Sequence, residues 1–240
     1  MRTVRIAALG VAATLAAGVV AVSMWPATGS PRGGVNPGDF THPQANPYFP
    51  LKPGTVLRYR GSEGPERFHE RLSITDQTKT IQGVKTTVVH DVLRRADNSL
   101  AEKTTDWYAA DNSGNVWYFG EETATYKKNG QLESREGSWE AGVDGAVAGL
   151  IMPADPKPTD AYRQEFYAGH AEDQAWIVQH NVKTKVPYGR LQNLIRSFEW
   201  TRLEPDVVSV KLYGRGLGIV REYDVAGGNE VFKLVSVSRP

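Results

Sequence analysis

Cysteine is absent from all 240 residues of this chain. That absence excludes disulfide staples, a lipidated N-terminal cysteine and any thiol nucleophile, so an exported domain must hold itself by packing alone. An excess of one charge is missing too: 28 Lys and Arg stand against 27 Asp and Glu, a net +1. The basic residues are dispersed, which excludes the electrostatic footprint of a nucleic-acid binder and a polybasic membrane-surface patch. No serine sits in a Gly-x-Ser-x-Gly elbow, and no glycine loop has phosphate-cradling spacing. Internal repeats are lacking, which removes propellers and solenoids.

What the sequence does have begins with "MRTVRIAALGVAATLAAGVVAVSMW", residues 1–25. Arg2 and Arg5 precede an apolar run from Ile6 to Trp25, the layout of a secretory signal. About 20 apolar residues also suffice to cross a bilayer, so an uncleaved anchor over 6–25 stays open beside cleavage. Removing Arg2 and Arg5 leaves 26 basic against 27 acidic residues. The expected location is secreted or extracytoplasmic, in the cell envelope, with the membrane touched only through the N-terminal segment. Residues 26–47, rich in Pro, Gly, Ser, Thr and Asn, read as a flexible linker. A single domain is expected over 48–240, about 195 residues and large enough for one core without staples.

Within it the hydrophobic period is close to two. "RFHERLSIT" sets Phe68, Glu70, Leu72 and Ile74 against His69, Arg71 and Ser73, and with the runs that follow it the domain holds ten to twelve such strands at short spacing. "DNSGN", "KNGQ" and "AGGNE" supply the turns between them. The prediction is an all-β, mainly antiparallel protein: one large curved sheet forming a barrel or half-barrel, with little helix beyond the N-terminal signal. One segment breaks the rhythm. Residues 140–161, "EAGVDGAVAGLIMPADPKPTDA", are read as a long Gly- and Pro-rich loop whose start could form a short helical turn.

"NPYFPLKPGTVLRYRG" (46–61) and "LYGRGLGIVREYDVAGGNEVFKLVSV" (212–237) carry a resemblance. They are similar to the start Tyr-Phe-Pro-Leu-x-x-Gly-Thr and the end Tyr-x-x-Gly-x-Gly-x-Val of a type of exported bacterial protein, and the central "WYFGEE", "SWEAG" and "AGHAEDQAW" resemble secreted actinobacterial and proteobacterial proteins with no assigned activity. More distantly, the type resembles the half-barrel sheets of periplasmic lipoprotein-carrier-like domains. The resemblance implies a curved sheet and export; it transfers no ligand-binding residue.

Three constellations could carry chemistry. In "FYAGHAEDQAWI" (166–177), His170, Glu172 and Asp173 cluster with Glu165 near a predicted strand junction that Gly169 lets bend tightly. These are ligand types for zinc or, through oxygens alone, calcium. Their spacing is no recognised ligand motif, and a polar turn is the plainer reading. A divalent metal is thus the one cofactor the residues suggest, against the simpler expectation of none. In "VWYFGEE", parity places Glu121 on the face of Trp117 and Phe119, and Trp139 precedes another carboxylate. Trp117, Phe119, Glu121, Trp139, Tyr167 and Trp176 are accordingly the expected ligand-binding residues of an aromatic-lined groove, though core filling explains aromatics equally well. The third is Asp144, Asp155 and Asp160 of the long loop, which could reach over either site.

No catalytic set stands out. The expected function is a non-catalytic exported protein holding an amphiphile, a glycan-type ligand or an envelope partner in a β groove. The alternative is an extracytoplasmic metal- or carboxylate-dependent hydrolase using the His170 cluster.

Overall fold

The computed structural model describes residues 35–240. The expected signal or anchor and the first part of the linker lie outside them. Among the described residues there is no α-helix. A single 3-10 turn (Pro37–Phe40) precedes fifteen strands: β1 (Val56–Glu63), β2 (Glu66–Ile81), β3 (Val84–Arg95), β4 (Leu100–Ala110), β5 (Val116–Tyr126), β6 (Leu132–Ser134), β7 (Trp139–Glu140), β8 (Val147–Met152), β9 (Ala161–Arg163), β10 (Glu165–Phe166), β11 (Asp173–Val186), β12 (Gly189–Thr201), β13 (Val208–Gly214), β14 (Gly218–Ala226) and β15 (Glu230–Ser238).

All pairings are antiparallel, and thirteen strands form one path, β10-β8-β5-β4-β3-β2-β1-β15-β14-β13-β12-β11-β9, with β6 and β7 attached to β5. The two ends of the path, β10 and β9, are consecutive in sequence and separated only by Gln164. Gln164 donates its backbone N–H to Asp173 O (2.8 Å), while its neighbour Glu165 pairs with Ala148 on β8. The sheet is thereby nearly closed into a barrel, as the strand pattern predicts. Outward positions of β1 and β2 carry exposed Arg58, Arg60, His69 and Arg71, so this wall faces water. No helix among the described residues is long and apolar enough to cross a membrane.

Closure demands a close backbone approach at Gly149. A Cβ there would lie 2.3 Å from the carbonyl carbon and oxygen of Gln164, and backbone cannot swing aside as a side chain can. Gly149→Ala is expected to part β8 from β10. The check is limited proteolysis, with cleavage near residues 163–168 faster than in the parent.

Two long hairpins leave the barrel wall and pack over it. In β11–β12 the register shifts three times, and Asn181 (φ 59°) and Asn193 (φ 57°) adopt the left-handed backbone that Asn tolerates. The bent hairpin then places Val182, Val186 and Leu194 in one cluster with Val210 and Leu212, and Tyr188 N donates to Leu234 O at 3.0 Å. The β2–β3 hairpin shifts register between Ile74 and Thr78. Its Ile81, Val84 and Val88 join Trp107 and Phe119 in the other main cluster, while Lys79 pairs with Glu140 at 2.7 Å and lies 3.5 Å over the Trp107 ring.

Two expectations are corrected. Residues 35–47 are not tether: Val35 and Phe40 pack on the barrel cluster, Asn112 Nδ2 donates to Gly38 O (3.0 Å), and Asn46 is buried. Asn46 acts as a staple, donating to Gly114 O (2.8 Å) and Pro153 O (2.9 Å) and accepting from the amides of Tyr48 and Phe49. Composition alone hides such fixed turns, because Asn and Pro serve ordered turns as well as disorder. Nor is 140–161 one loop. Residues 141–146 form a tight turn, closed by Gly142 N to Ala146 O at 2.8 Å, and Val147–Met152 is a strand paired with β5. The small residues read as helix or loop are what a closely covered strand needs.

Candidate functional site

Directly opposed residues of neighbouring strands share a face, so the register defines what points inward. One rung runs Tyr59–Glu70–Leu93–Glu102, the next Leu57–Leu72–Asp91–Thr104–Thr123, and the third Ile74–Val89–Asp106–Glu121–Trp139. Across the barrel a further rung runs Ile177–Ser197–Lys211–Glu222–Phe232. The interior is thus a belt of acids set among apolar and aromatic side chains.

Their ionisation is governed first by burial, which disfavours charge. Glu102 is pushed up to about 8 by burial and then by Asp91, against a hydrogen bond from Thr104 Oγ1 (3.2 Å). Burial raises Asp106 to about 7, although the hydroxyls of Tyr118 (2.7 Å) and Tyr108 (3.3 Å) donate to it. Glu121 and Glu165 are held well above the usual carboxylate range by burial and surrounding acids, Glu165 despite the Trp139 Nε1 donor at 2.8 Å. Glu70 is held well above the usual carboxylate range by burial and then by the charge of the neighbouring Asp91, which burial itself raises to about 6.

One acid goes the other way. Burial opposes the charge of Glu199, but Lys211 Nζ (2.9 Å), Ser197 Oγ (2.7 Å) and Tyr213 OH (2.8 Å) more than offset it and depress its pKa. Lys211 also faces Glu222 at 3.5 Å, which burial nevertheless lifts to about 7.

At one end of the barrel lies a small cleft, about 40 Å³ of enclosed space and partly open to solvent. On one side are Phe49, Pro50 and Leu51; on the other, Leu217, Gly218 and Ile219; Leu57, Tyr59, Leu72, Ile74, Val89 and Tyr108 form the floor. The two rims are held together. Gly216 N donates to Pro47 O (2.6 Å), Tyr59 OH donates to Ile219 O (2.9 Å), and Phe49 packs on Tyr108 with ring centroids 5.1 Å apart. The rims belong to the Tyr-Phe-Pro-Leu (48–51) and Gly-x-Gly (216–218) motifs, 165 residues apart in the chain but adjacent here. Both motifs come together at the cleft.

The expected groove residues do not share one surface. Trp117 and Phe119 face Phe40 (6.4 and 5.6 Å), and Trp117 Nε1 donates to Asp111 (3.0 Å). Glu121 points to the other side, with Asp106 and Tyr118, and Trp139 lies inward beside it. Parity fails because β5 holds one residue more than β4 between the Asp106–Glu121 and Tyr108–Tyr118 pairs. Gly120, at φ 130° with Trp139 O 2.2 Å from where its Cβ would stand, absorbs this bulge. Tyr167 stacks on His170 at 4.4 Å, while Trp176 is 43% exposed on the outer wall against Phe198.

The four suggested metal ligands divide likewise. His170 is exposed at the tip of a turn, where Glu172 accepts from Gly169 N (2.9 Å) and faces Arg202 (3.8 Å). Glu165 is buried against Trp139, and Asp173 pairs with Thr201 on β12. Among the described residues no three His, Asp or Glu are grouped to hold a metal ion. Asp144 and Asp155 lie on the surface, and Asp160 accepts from Lys157 N (2.8 Å). The interior acids missed from the sequence had one legible signal. Glu70, Asp91, Glu102 and Asp106 fall in phase with the apolar residues of their strands.

No protein-family model matches this chain, and no curated protein matches it. Among solved structures it is similar to a protein of Bacteroides fragilis described as exported, with a YmcC-like fold (12% identity, 81% of this chain and all of that one, TM-score 0.49). It is similar also to a protein of Parabacteroides distasonis described as a lipoprotein (9% identity, 81% and 100% coverage, TM-score 0.47). At these scores the likeness transfers neither residue roles nor function, and neither neighbour is described as a lipoprotein carrier.

Proposed function

We propose that the protein is an exported, non-catalytic binding protein that takes the apolar chain of a small amphiphile at the barrel mouth. The observation that carries this is the apolar cleft between Phe49–Leu51 and Leu217–Ile219. The lining side chains are apolar or aromatic, with the Tyr59 hydroxyl turned to a backbone carbonyl, which suits a hydrocarbon chain better than a glycan. Export is supported by the basic and apolar N-terminal run of the sequence.

The test is titration with a neutral fluorescent apolar probe, N-phenyl-1-naphthylamine, in competition with decanol. Saturable binding displaced by decanol is expected. Leu72→Trp, which fills the floor, should weaken it by about tenfold or more, on the order of 1.4 kcal/mol. Binding that is absent, or indifferent to Leu72→Trp, removes the reading.

A further inference from the structure

The floor of the cleft leads directly to an unmatched charge. Leu72, a floor residue, pairs across strands with Asp91, and Val89, another, precedes Asp91 by two on the same face. Tyr59 pairs with Glu70 in the same way, and Leu72 follows Glu70 by two. Side chains so related stand next to one another, so the Glu70–Asp91 pair adjoins the cleft. Glu70 is only half-buried although the barrel surrounds it, whereas Asp91 is 2% exposed.

Neither oxygen of Asp91 meets a donor in hydrogen-bonding geometry, and its polar neighbours are the Glu70 carboxyl and the Val92 backbone. The side chains facing the pair from the packed strands carry no positive charge: Tyr59 from β1, Glu102 and Asp106 from β4, Glu222 from β14 and Glu230 from β15. Lys211 is engaged by Glu199 and Glu222. A buried carboxylate without a cation is strongly disfavoured unless something supplies one.

We infer that the Glu70–Asp91 pair receives a protonated amine, the head group of an amphiphile whose chain lies in the cleft. This rests on the cleft being the binding site. An ammonium brings three N–H donors, enough for both oxygens of Asp91 and one of Glu70. Charge complementarity selects it over an alcohol, and an anionic head would meet only repulsion.

The experiment is calorimetric titration of the full chain near neutral pH with decylammonium, decanol and decanoate. Decylammonium is expected to bind about tenfold or more tighter than decanol, and decanoate more weakly than either. Asp91→Asn should bring decylammonium to the affinity of decanol. Glu70→Gln, whose amide can donate to Asp91 in place of the ligand, should narrow the preference as well and serves as a second route should Asp91→Asn misfold. Equal binding of decylammonium and decanol, lost together in Leu72→Trp, would overturn the head-group site while leaving the cleft standing. Failure of all three ligands to bind overturns both.

Discussion

Lys211→Met is expected to destabilise the protein by about 3–5 kcal/mol, the usual consequence of removing one member of a buried ion pair. For a domain of this size each kcal/mol moves Tm by roughly 2–4 °C, so the fall should be on the order of 10 °C. Lys211 is 7% exposed and holds both Glu199 (2.9 Å) and Glu222 (3.5 Å). Methionine fills much the same volume, so the loss comes from two carboxylates left without their cation rather than from a cavity. Glu199 suffers most, because it is the interior acid that Lys211 keeps ionised. The double variant Lys211→Met/Glu199→Gln should recover part of the loss, since Gln still accepts from Ser197 and Tyr213. Thermal and urea denaturation decide it. A single-variant loss below about 1 kcal/mol, or no recovery in the double, means that Lys211 does not hold the belt together.

Stability should fall as the pH rises from about 5 to about 9. Four interior acids have folded-state values above those of an unfolded chain, near 4: Asp91 at about 6, Asp106 and Glu222 at about 7, and Glu102 at about 8. The folded protein therefore binds more protons than the unfolded chain across that window. The stability these groups confer is complete below pH about 4 and is lost as pH climbs through 6 to 8. Glu199 acts in reverse: its depressed pKa adds stability above pH about 4 and withdraws it in acid. An optimum near pH 5 results.

One pKa unit corresponds to about 1.4 kcal/mol, but neighbouring acids titrate together and their shifts do not sum. Glu102 alone, raised from 4.5 to about 8, should contribute a loss on the order of 5 kcal/mol. Glu102→Gln keeps an acceptor for Thr104 and should raise Tm near pH 8.5 by several degrees while changing it little near pH 5. A Tm that stays flat from pH 5 to 9 in the parent contradicts the ionisation assigned to the belt.

The strand alternation and turn residues made the all-β class and the curved sheet legible, since a period of two needs no tertiary information. Register did not follow. Alternation alone puts Glu121 on the face of Trp117, but one bulge at Gly120 reverses parity for the rest of β5, and a bulge is defined by the partner strand. The Asn46 staple was hidden for a similar reason: its partners Gly114 and Pro153 lie far along the chain. His170 drew attention because ligand-type residues are adjacent there in sequence. The interior acids come from strands scattered over most of the domain, and only pairing gathers them. The two terminal motifs were visible as motifs, but not that they face each other across a cleft.

The pairing of β1 with β15 has a consequence in time. Val56 lies beside Ser238 and Glu63 beside Glu230, so the first strand of the described residues needs the fifteenth as its neighbour. Until residues 230–238 arrive, β1 can pair only with β2, and the growing sheet keeps an unsealed edge. Contacts this distant along a chain are slow to form, and an open edge invites pairing with other chains. Delivered N-terminus first, the domain stays an unfinished sheet until residues 230–238 have emerged and can seal it.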